Sequence, residues 1–127
     1  MNQKKILLKH FSSDLKQFSP TIKSLVCGQN AWGLTPLHIC IVESNYDAFS
    51  ELTAHFNDIL NYDARDDSEN TILHRSACDP HFIRFTNILC RNPRVNKNVQ
   101  TSDGLSPLHV AVINKNYIAT LCLVCIP

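Results

Sequence analysis

The sequence predicts an all-α fold made of about three helix-turn-helix units, and three observations support this prediction. The tetrapeptide TPLH at 35–38 returns as TILH at 71–74 and as SPLH at 106–109. The string Asn-Tyr-x-Ala follows at the same distance in two units, at 45–48 and 116–119. Apolar residues after each tetrapeptide recur at spacings of three and four, which is typical of an amphipathic helix. The tetrapeptides start 36 and 35 residues apart, and an internal repeat of this length indicates a stack of similar units.

Each tetrapeptide predicts the start of a first helix. Thr35, Thr71 and Ser106 can each cap a helix by accepting a hydrogen bond from a backbone N–H group. Pro36 and Pro107 then occupy the first helical position, where proline loses no hydrogen bond. We expect each first helix to bury one apolar stripe. The stripe comprises Leu37, Cys40 and Ile41 in the first unit and Leu108, Ala111 and Val112 in the third.

A turn precedes each tetrapeptide, and the second unit departs from the pattern of the other two. Gly33 and Gly104 occupy a position where glycine adopts positive φ at low cost, but the second unit has Glu69 there. We therefore expect that hairpin to be distorted or strained. Ile72 also replaces proline, and Pro80 follows the first helix. The second unit should be the least regular of the three.

Second helices are predicted at 46–56, 81–91 and 117–125, because aromatic and aliphatic residues recur there at helical spacing. The segment 19–28 predicts one more helix of this kind, which would cover the apolar face of the first unit. The segment 5–11 predicts a further helical turn before it.

The repeated strings resemble the ankyrin repeat. The resemblance rests on CGQNAWGLTPLHICI (27–41), DARDDSENTILHRSA (63–77) and NVQTSDGLSPLHVAV (98–112), and it extends over about residues 19–127. It implies an all-α solenoid of about three repeats with hairpin loops and an N-terminal helical cap. The implied divisions are a cap or partial repeat at 1–29 and repeats at 30–65, 66–100 and 101–127, the last of them truncated.

Composition and charge narrow the function classes. The chain has 127 residues, of which 44% are hydrophobic and 18% charged, as in ordinary globular domains. A net charge of +1 gives no reason to expect direct nucleic-acid or membrane binding, although residues 31–70 carry eight acidic residues against Arg65. The apolar run before Lys9 is too short for a signal peptide or a membrane span. We therefore expect a cytoplasmic or nuclear protein, or both, with reduced cysteines.

Histidines and cysteines raise the alternative of a metal site or a catalytic site. His38, His74 and His109 recur in register, but each can bond its capping hydroxyl and the backbone of the next hairpin, so a structural role is favoured. Cys122-x-x-Cys125 lacks a second Cys/His pair at zinc-finger spacing, so buried thiols are favoured. No Walker loop, G-x-S-x-G or H-E-x-x-H motif occurs, and no Ser/His/Asp or Cys/His set has a context that supports nucleophilic catalysis. We expect no enzymatic activity, no metal and no cofactor.

Two features of the predicted hairpins remain open to two interpretations each. Trp32 either packs on the N-terminal helix or contacts a partner, since aromatic residues are enriched at interface centres. The acidic run Asp63, Asp66, Asp67 and Glu69 is either a solvated turn or a patch that steers a basic partner.

The ankyrin resemblance implies an adaptor or scaffold that binds a protein partner through hairpin tips and the exposed ends of first helices. These positions would form one concave strip, acidic in its first two units, which favours basic or amide-rich contacts from the partner. The implied contact residues are Ala31, Trp32, Leu34, Val42, Glu43, Asp67, Ser68, Asn70, Cys78, Asp79, Ser102, Asp103, Leu105, Ile113 and Asn114.

A narrower resemblance gives an alternative. The strings NVQTSDGLSPLHVAVINKNY (98–117) and DARDDSENTILH (63–74) look most like the inhibitor-of-kappa-B (IκB-like) group, which implies regulation of Rel-type (NF-κB) transcription factors. That group usually has six or seven repeats and carries a phosphorylation signal that is absent here. The last predicted repeat also ends in the apolar string LCLVCIP, so we expect further repeats or a partner to cover that end.

Overall fold

The computed structural model describes residues 19–126, and all regular structure within that range is helical, as predicted. The predicted turn at 5–11 and the rest of 1–18 lie outside the described residues. A 3-10 turn spans Pro80–Phe82. The seven described α-helices are α1 (Ser19–Cys27), α2 (Pro36–Val42), α3 (Tyr46–His55), α4 (Ile72–Ala77), α5 (Ile83–Arg91), α6 (Pro107–Ile113) and α7 (Tyr117–Cys125).

The first helices α2, α4 and α6 begin with the same cap. The hydroxyl of Thr35 accepts a hydrogen bond from the N–H of His38, and the imidazole of His38 accepts one from the N–H of Thr35. The same reciprocal pair recurs at the starts of α4 and α6, with Thr71 and Ser106 as caps. This capping satisfies N–H groups that the first helical turn leaves unbonded. The predicted helix starts are confirmed.

The link from first to second helix differs in the second unit because of one proline. Ser44 and Lys115 occupy equivalent positions and adopt φ of 55° and 56°, which ends the first helix in a left-handed turn. Pro80 occupies the same position in the second unit, and its ring holds φ near −65°. The chain therefore passes through the 3-10 turn, which Asp79 caps by accepting a bond from the N–H of His81. The second unit is the least regular, as predicted.

The helix pairs α2/α3, α4/α5 and α6/α7 pack in sequence order. First helices pack on first helices and second helices on second helices, so that each pair contacts the next pair. The larger buried cluster extends from α1 to the region after α5 and includes Phe49, Leu73 and Leu89. A smaller buried cluster of Ala77, Val110, Ala111 and Ala119 joins the second pair to the third.

One prediction about the core is wrong for the third pair. Ala111 is buried, but Leu108 and Val112 are 37% and 59% exposed. The equivalent residues of the first pair, Leu37 and Ile41, are each only 1% exposed. The difference arises because the second pair covers the first, whereas no described helix pair covers the third.

Candidate functional site

Three five-residue loops precede the first helices and share one hydrogen-bond pattern. In the loops 30–34, 66–70 and 101–105, the N–H of the first residue donates to the carbonyl of the fifth, over 3.0, 3.1 and 3.0 Å. The side chain of the first residue accepts bonds from N–H groups within the same loop. Because the loops are built alike, the second and third residues of each are exposed at its tip.

Glu69 shows how the second loop keeps this shape without glycine. Its φ is 65°, close to the 76° and 79° of Gly33 and Gly104. The conformation costs energy in a residue with a side chain, so the predicted strain is confirmed. The loop is not distorted, because its hydrogen bonds match those of the other two loops. Hydrogen bonds from the side chain of Ser102 and from its N–H, the latter 2.8 Å long, lower the pKa of the Glu69 carboxyl.

Asp66 belongs to the scaffold of the second loop. Its side chain is almost fully buried, and its carboxylate bonds the Arg75 guanidinium at 2.6 Å and accepts the N–H groups of Ser68 and Asn70. Burial alone raises the pKa of Asp66, but these hydrogen bonds and the arginine lower it below its ordinary value. Neither interpretation of the acidic run, solvated turn or steering patch, fits this residue. The sequence analysis does not predict the ion pair of Asp66 with Arg75. Asn30 occupies the equivalent position of the first loop, and its side chain likewise accepts two N–H groups of its loop.

Most of the fifteen residues predicted to contact a partner are exposed. Three of them, Leu34, Asn70 and Leu105, are half-buried. The carbonyls of Asn70 and Leu105 accept bonds from histidines of the preceding unit, so their backbone serves the stack. The twelve exposed residues are named here the partner strip: Ala31, Trp32, Val42, Glu43, Asp67, Ser68, Cys78, Asp79, Ser102, Asp103, Ile113 and Asn114.

The partner strip combines an apolar column with acidic flanks. Val42, Cys78 and Ile113 occupy the same position at the ends of α2, α4 and α6, and all three are exposed. The acidic members of the strip are Glu43, Asp67, Asp79 and Asp103, and the strip contains no lysine or arginine. The strip therefore presents apolar side chains beside carboxylates, a surface suited to a basic partner with aliphatic contacts.

Trp32 lies at the tip of the first loop and is 68% exposed. Its carbonyl accepts a bond of 2.9 Å from the N–H of Asp67, which connects the first and second loop tips. The indole ring is therefore held by a fixed backbone but is not buried. Of the two interpretations of Trp32, this geometry fits the availability of the ring to a partner.

The histidines of the first two units join neighbouring units. The imidazoles of His38 and His74 are fully buried. Nε2 of His38 lies 3.0 Å from the carbonyl oxygen of Asn70, and Nε2 of His74 lies 2.8 Å from the carbonyl oxygen of Leu105. In each ring Nδ1 accepts the N–H of the capping threonine, so Nε2 must carry the proton that the carbonyl accepts. Burial lowers the pKa of both histidines, which favours this neutral form.

His109 and the pair Cys122 and Cys125 are less buried than the first two helix-start histidines. His109 bonds Ser106 as its counterparts bond their threonines, but the ring is exposed and no hydrogen bond joins its Nε2 to a described residue. Cys125 is exposed and Cys122 half-buried, so the expected burial of this pair is wrong for Cys125. Among the described residues, no three His, Cys, Asp or Glu side chains lie close enough together to hold a metal ion.

None of the helices within residues 19–126 is both long and apolar enough to cross a membrane. A comparison with models of protein families finds no match to the chain. A comparison with curated proteins finds no significant match either.

Proposed function

We propose that the chain is a non-enzymatic interaction module of the ankyrin-repeat type, an adaptor or scaffold that binds a protein partner through the partner strip. The observation that carries this proposal is the recurrence of exposed side chains at equivalent positions of three successive helix pairs. The loop positions lie on backbones fixed by the same hydrogen bond in all three units, and the ends of α2 and α6 also share their bonds, whereas the end of α4 is held by a bond from the N–H of Cys78 to the carbonyl of Arg75. Side chains held in this way lose little conformational entropy on binding, which favours recognition.

Three features support an ankyrin-type stack. The caps of α2, α4 and α6 are equivalent, with a histidine as the reciprocal partner in each. The buried histidines reach the loop carbonyl of the next unit at both internal junctions. The helix pairs also contact their neighbours in chain order, as expected of a repeat array in which each unit stabilises the next.

The charge and polarity of the partner strip indicate what kind of protein it binds. A partner segment with lysine or arginine can pair with Glu43, Asp67 and Asp79, while aliphatic side chains pack on Val42 and Ile113. Surface ion pairs each contribute little free energy, about 0–1 kcal/mol, so the apolar contacts and Trp32 should dominate affinity. The carboxylates should mainly set the association rate and its salt dependence.

Affinity capture from cell extract tests the proposal. The full chain is compared with a strip variant, Trp32→Ala with Asp67→Lys, and with a control variant, Leu25→Ala with Asp47→Lys. The control makes the same kinds of change at exposed residues outside the strip. The proposal expects proteins that are retained by wild type and control but lost with the strip variant. Equal recovery by all three chains would contradict it.

A Rel-type transcription factor is the first purified partner to test, because the strings at 63–74 and 98–117 carry the resemblance to the inhibitor-of-kappa-B group. If the chain regulates such a factor, it should compete with labelled DNA for it, and the strip variant should compete less. If DNA binding is unaffected while other proteins are captured through the strip, the general proposal stands and the Rel-type partner is excluded.

A further inference from the structure

The third helix pair exposes an apolar surface on the side away from the second pair. Five side chains compose it and are named here the end face: Leu108, Val112, Tyr117, Leu121 and Val124. Their exposed fractions are 37%, 59%, 74%, 62% and 64%. In α7 the three members are spaced by four and three residues, so they form one stripe beside the two from α6.

The first helix pair shows what these positions look like when another helix pair covers them. Leu37 and Ile41, equivalent to Leu108 and Val112, are each 1% exposed. Tyr46 is equivalent to Tyr117, and its ring contacts the Phe85 ring, with centroids 5.8 Å apart, and the Arg84 guanidinium at 3.6 Å. The end face therefore has the same positions that pack against the next helix pair in the first pair, and its apolar side chains are available to a binding partner.

The end face carries no charge that would oppose an identical surface. Neither α6 (PLHVAVI) nor α7 (YIATLCLVC) contains an acidic or basic residue other than His109. The charged residues beside the two helices include Asp103 in the loop before them, Lys115 between them, and Lys97, whose ammonium donates to the carbonyl of Ile126 after α7. We propose that the end face binds the same face of a second copy of the chain, in a symmetric dimer.

The available area is adequate for such a dimer. If each of the five side chains contributes on the order of 100 Å² of apolar surface, one copy offers roughly 500 Å². Two copies then bury roughly 1,000 Å², which is near the lower limit for a specific interface. A two-fold axis suits this contact, since one patch then meets itself and association stops at two copies. The dimer should be reversible and should form with micromolar affinity.

Sedimentation velocity of the full chain in reducing buffer, from roughly 1 µM to several hundred micromolar, tests the proposal. Wild type should change from monomer to dimer across this range. Val112→Asp places a charge in the contact of each copy and should weaken the dimer roughly 100-fold or more. Leu25→Asp introduces the same charge at a residue of α1 that is 72% exposed and lies outside both the end face and the partner strip, so it should leave the dimer unchanged. Circular dichroism checks that both variants are folded.

Mixing labelled Val112→Asp with unlabelled wild type distinguishes the symmetric contact from a head-to-tail one. In the symmetric dimer the only binding face of the variant carries the charge, so in a mixture at concentrations near the wild-type dissociation constant the variant should remain mostly monomeric. In a head-to-tail contact its other end would still bind the wild-type end face. Co-sedimentation of the two chains, growth beyond a dimer, or a wild-type monomer at all concentrations would each overturn the proposal.

Discussion

Replacement of His74 by alanine should destabilise the fold strongly, because this buried ring joins two units. The variant removes the bond from Nε2 to the carbonyl of Leu105, which is 2.8 Å long. It also removes the acceptor of the Thr71 N–H and the partner of the Thr71 hydroxyl, which lies 2.8 Å from Nδ1. Both threonine groups are buried, so solvent cannot readily replace the lost bonds.

The expected loss in the free energy of unfolding follows from these contacts. A buried polar group left without a partner costs about 1–3 kcal/mol, and the vacated space adds a further cavity term. We therefore expect a loss of about 3–4 kcal/mol, a large part of the 5–15 kcal/mol typical of a domain. His109→Ala is a matched control, because that ring makes the same cap contact but is exposed. It should cost only about 1 kcal/mol, the usual value of a cap.

Urea unfolding followed by circular dichroism at 222 nm measures both variants. The free energy of unfolding extrapolated to zero urea should be about 2–3 kcal/mol lower for His74→Ala than for His109→Ala. The urea midpoint of His74→Ala should also be lower, and the slopes of the two unfolding curves should be similar. Equal losses in the two variants would refute the reasoning, since the contact with the next unit would then contribute nothing. A loss confined to His109→Ala would refute it more directly.

Three further predictions concern pH and the loops. Burial lowers the pKa of His38 and His74, so the unfolded chain binds more protons than the folded chain below pH 6.5. The urea midpoint should therefore fall as the pH drops from 7 to 5, and a midpoint that does not change with pH would contradict this. Gly104→Ala should lower the free energy of unfolding by about 1 kcal/mol because of its positive φ alone. Gly33→Ala should lower it more, because the added Cβ would lie 2.8 Å from the backbone nitrogen of Asp67. A higher melting temperature for Gly33→Ala than for Gly104→Ala would contradict this. Arg75→Met should cost roughly 2–3 kcal/mol by leaving Asp66 buried without its ion pair, and a calorimetric change under 0.5 kcal/mol would contradict it.

Features set by local chemistry could be predicted from the sequence. The three caps and their prolines follow from residues within one helical turn, so the helix starts agree with the prediction. The histidine bonds across units could also be predicted, because the repeat places each ring beside the loop that follows. Pro80 correctly indicates that the second unit is irregular, and its fixed φ explains why that unit contains a 3-10 turn.

Features that depend on distant partners could not be predicted in the same way. The acidic run at 63–69 predicts surface carboxylates, but Asp66 is buried, where it bonds Arg75 and two N–H groups of its loop. The sequence signal was present in the equivalent Asn30, a residue type that often bonds the backbone two residues on. The exposure of Leu108 and Val112 depends on what packs against the third pair, which periodicity within α6 does not reveal.

Site-specific photo-crosslinking tests the claim that the partner strip is the binding surface most directly. A benzophenone side chain is placed at Val42, within the strip, or at Ala54, an exposed residue of α3 outside it, and each chain is irradiated in cell extract. We predict discrete protein adducts at position 42 that excess wild-type chain suppresses and the Trp32→Ala, Asp67→Lys variant does not. Adducts that are absent at position 42, or that are the same at both positions, would contradict the account.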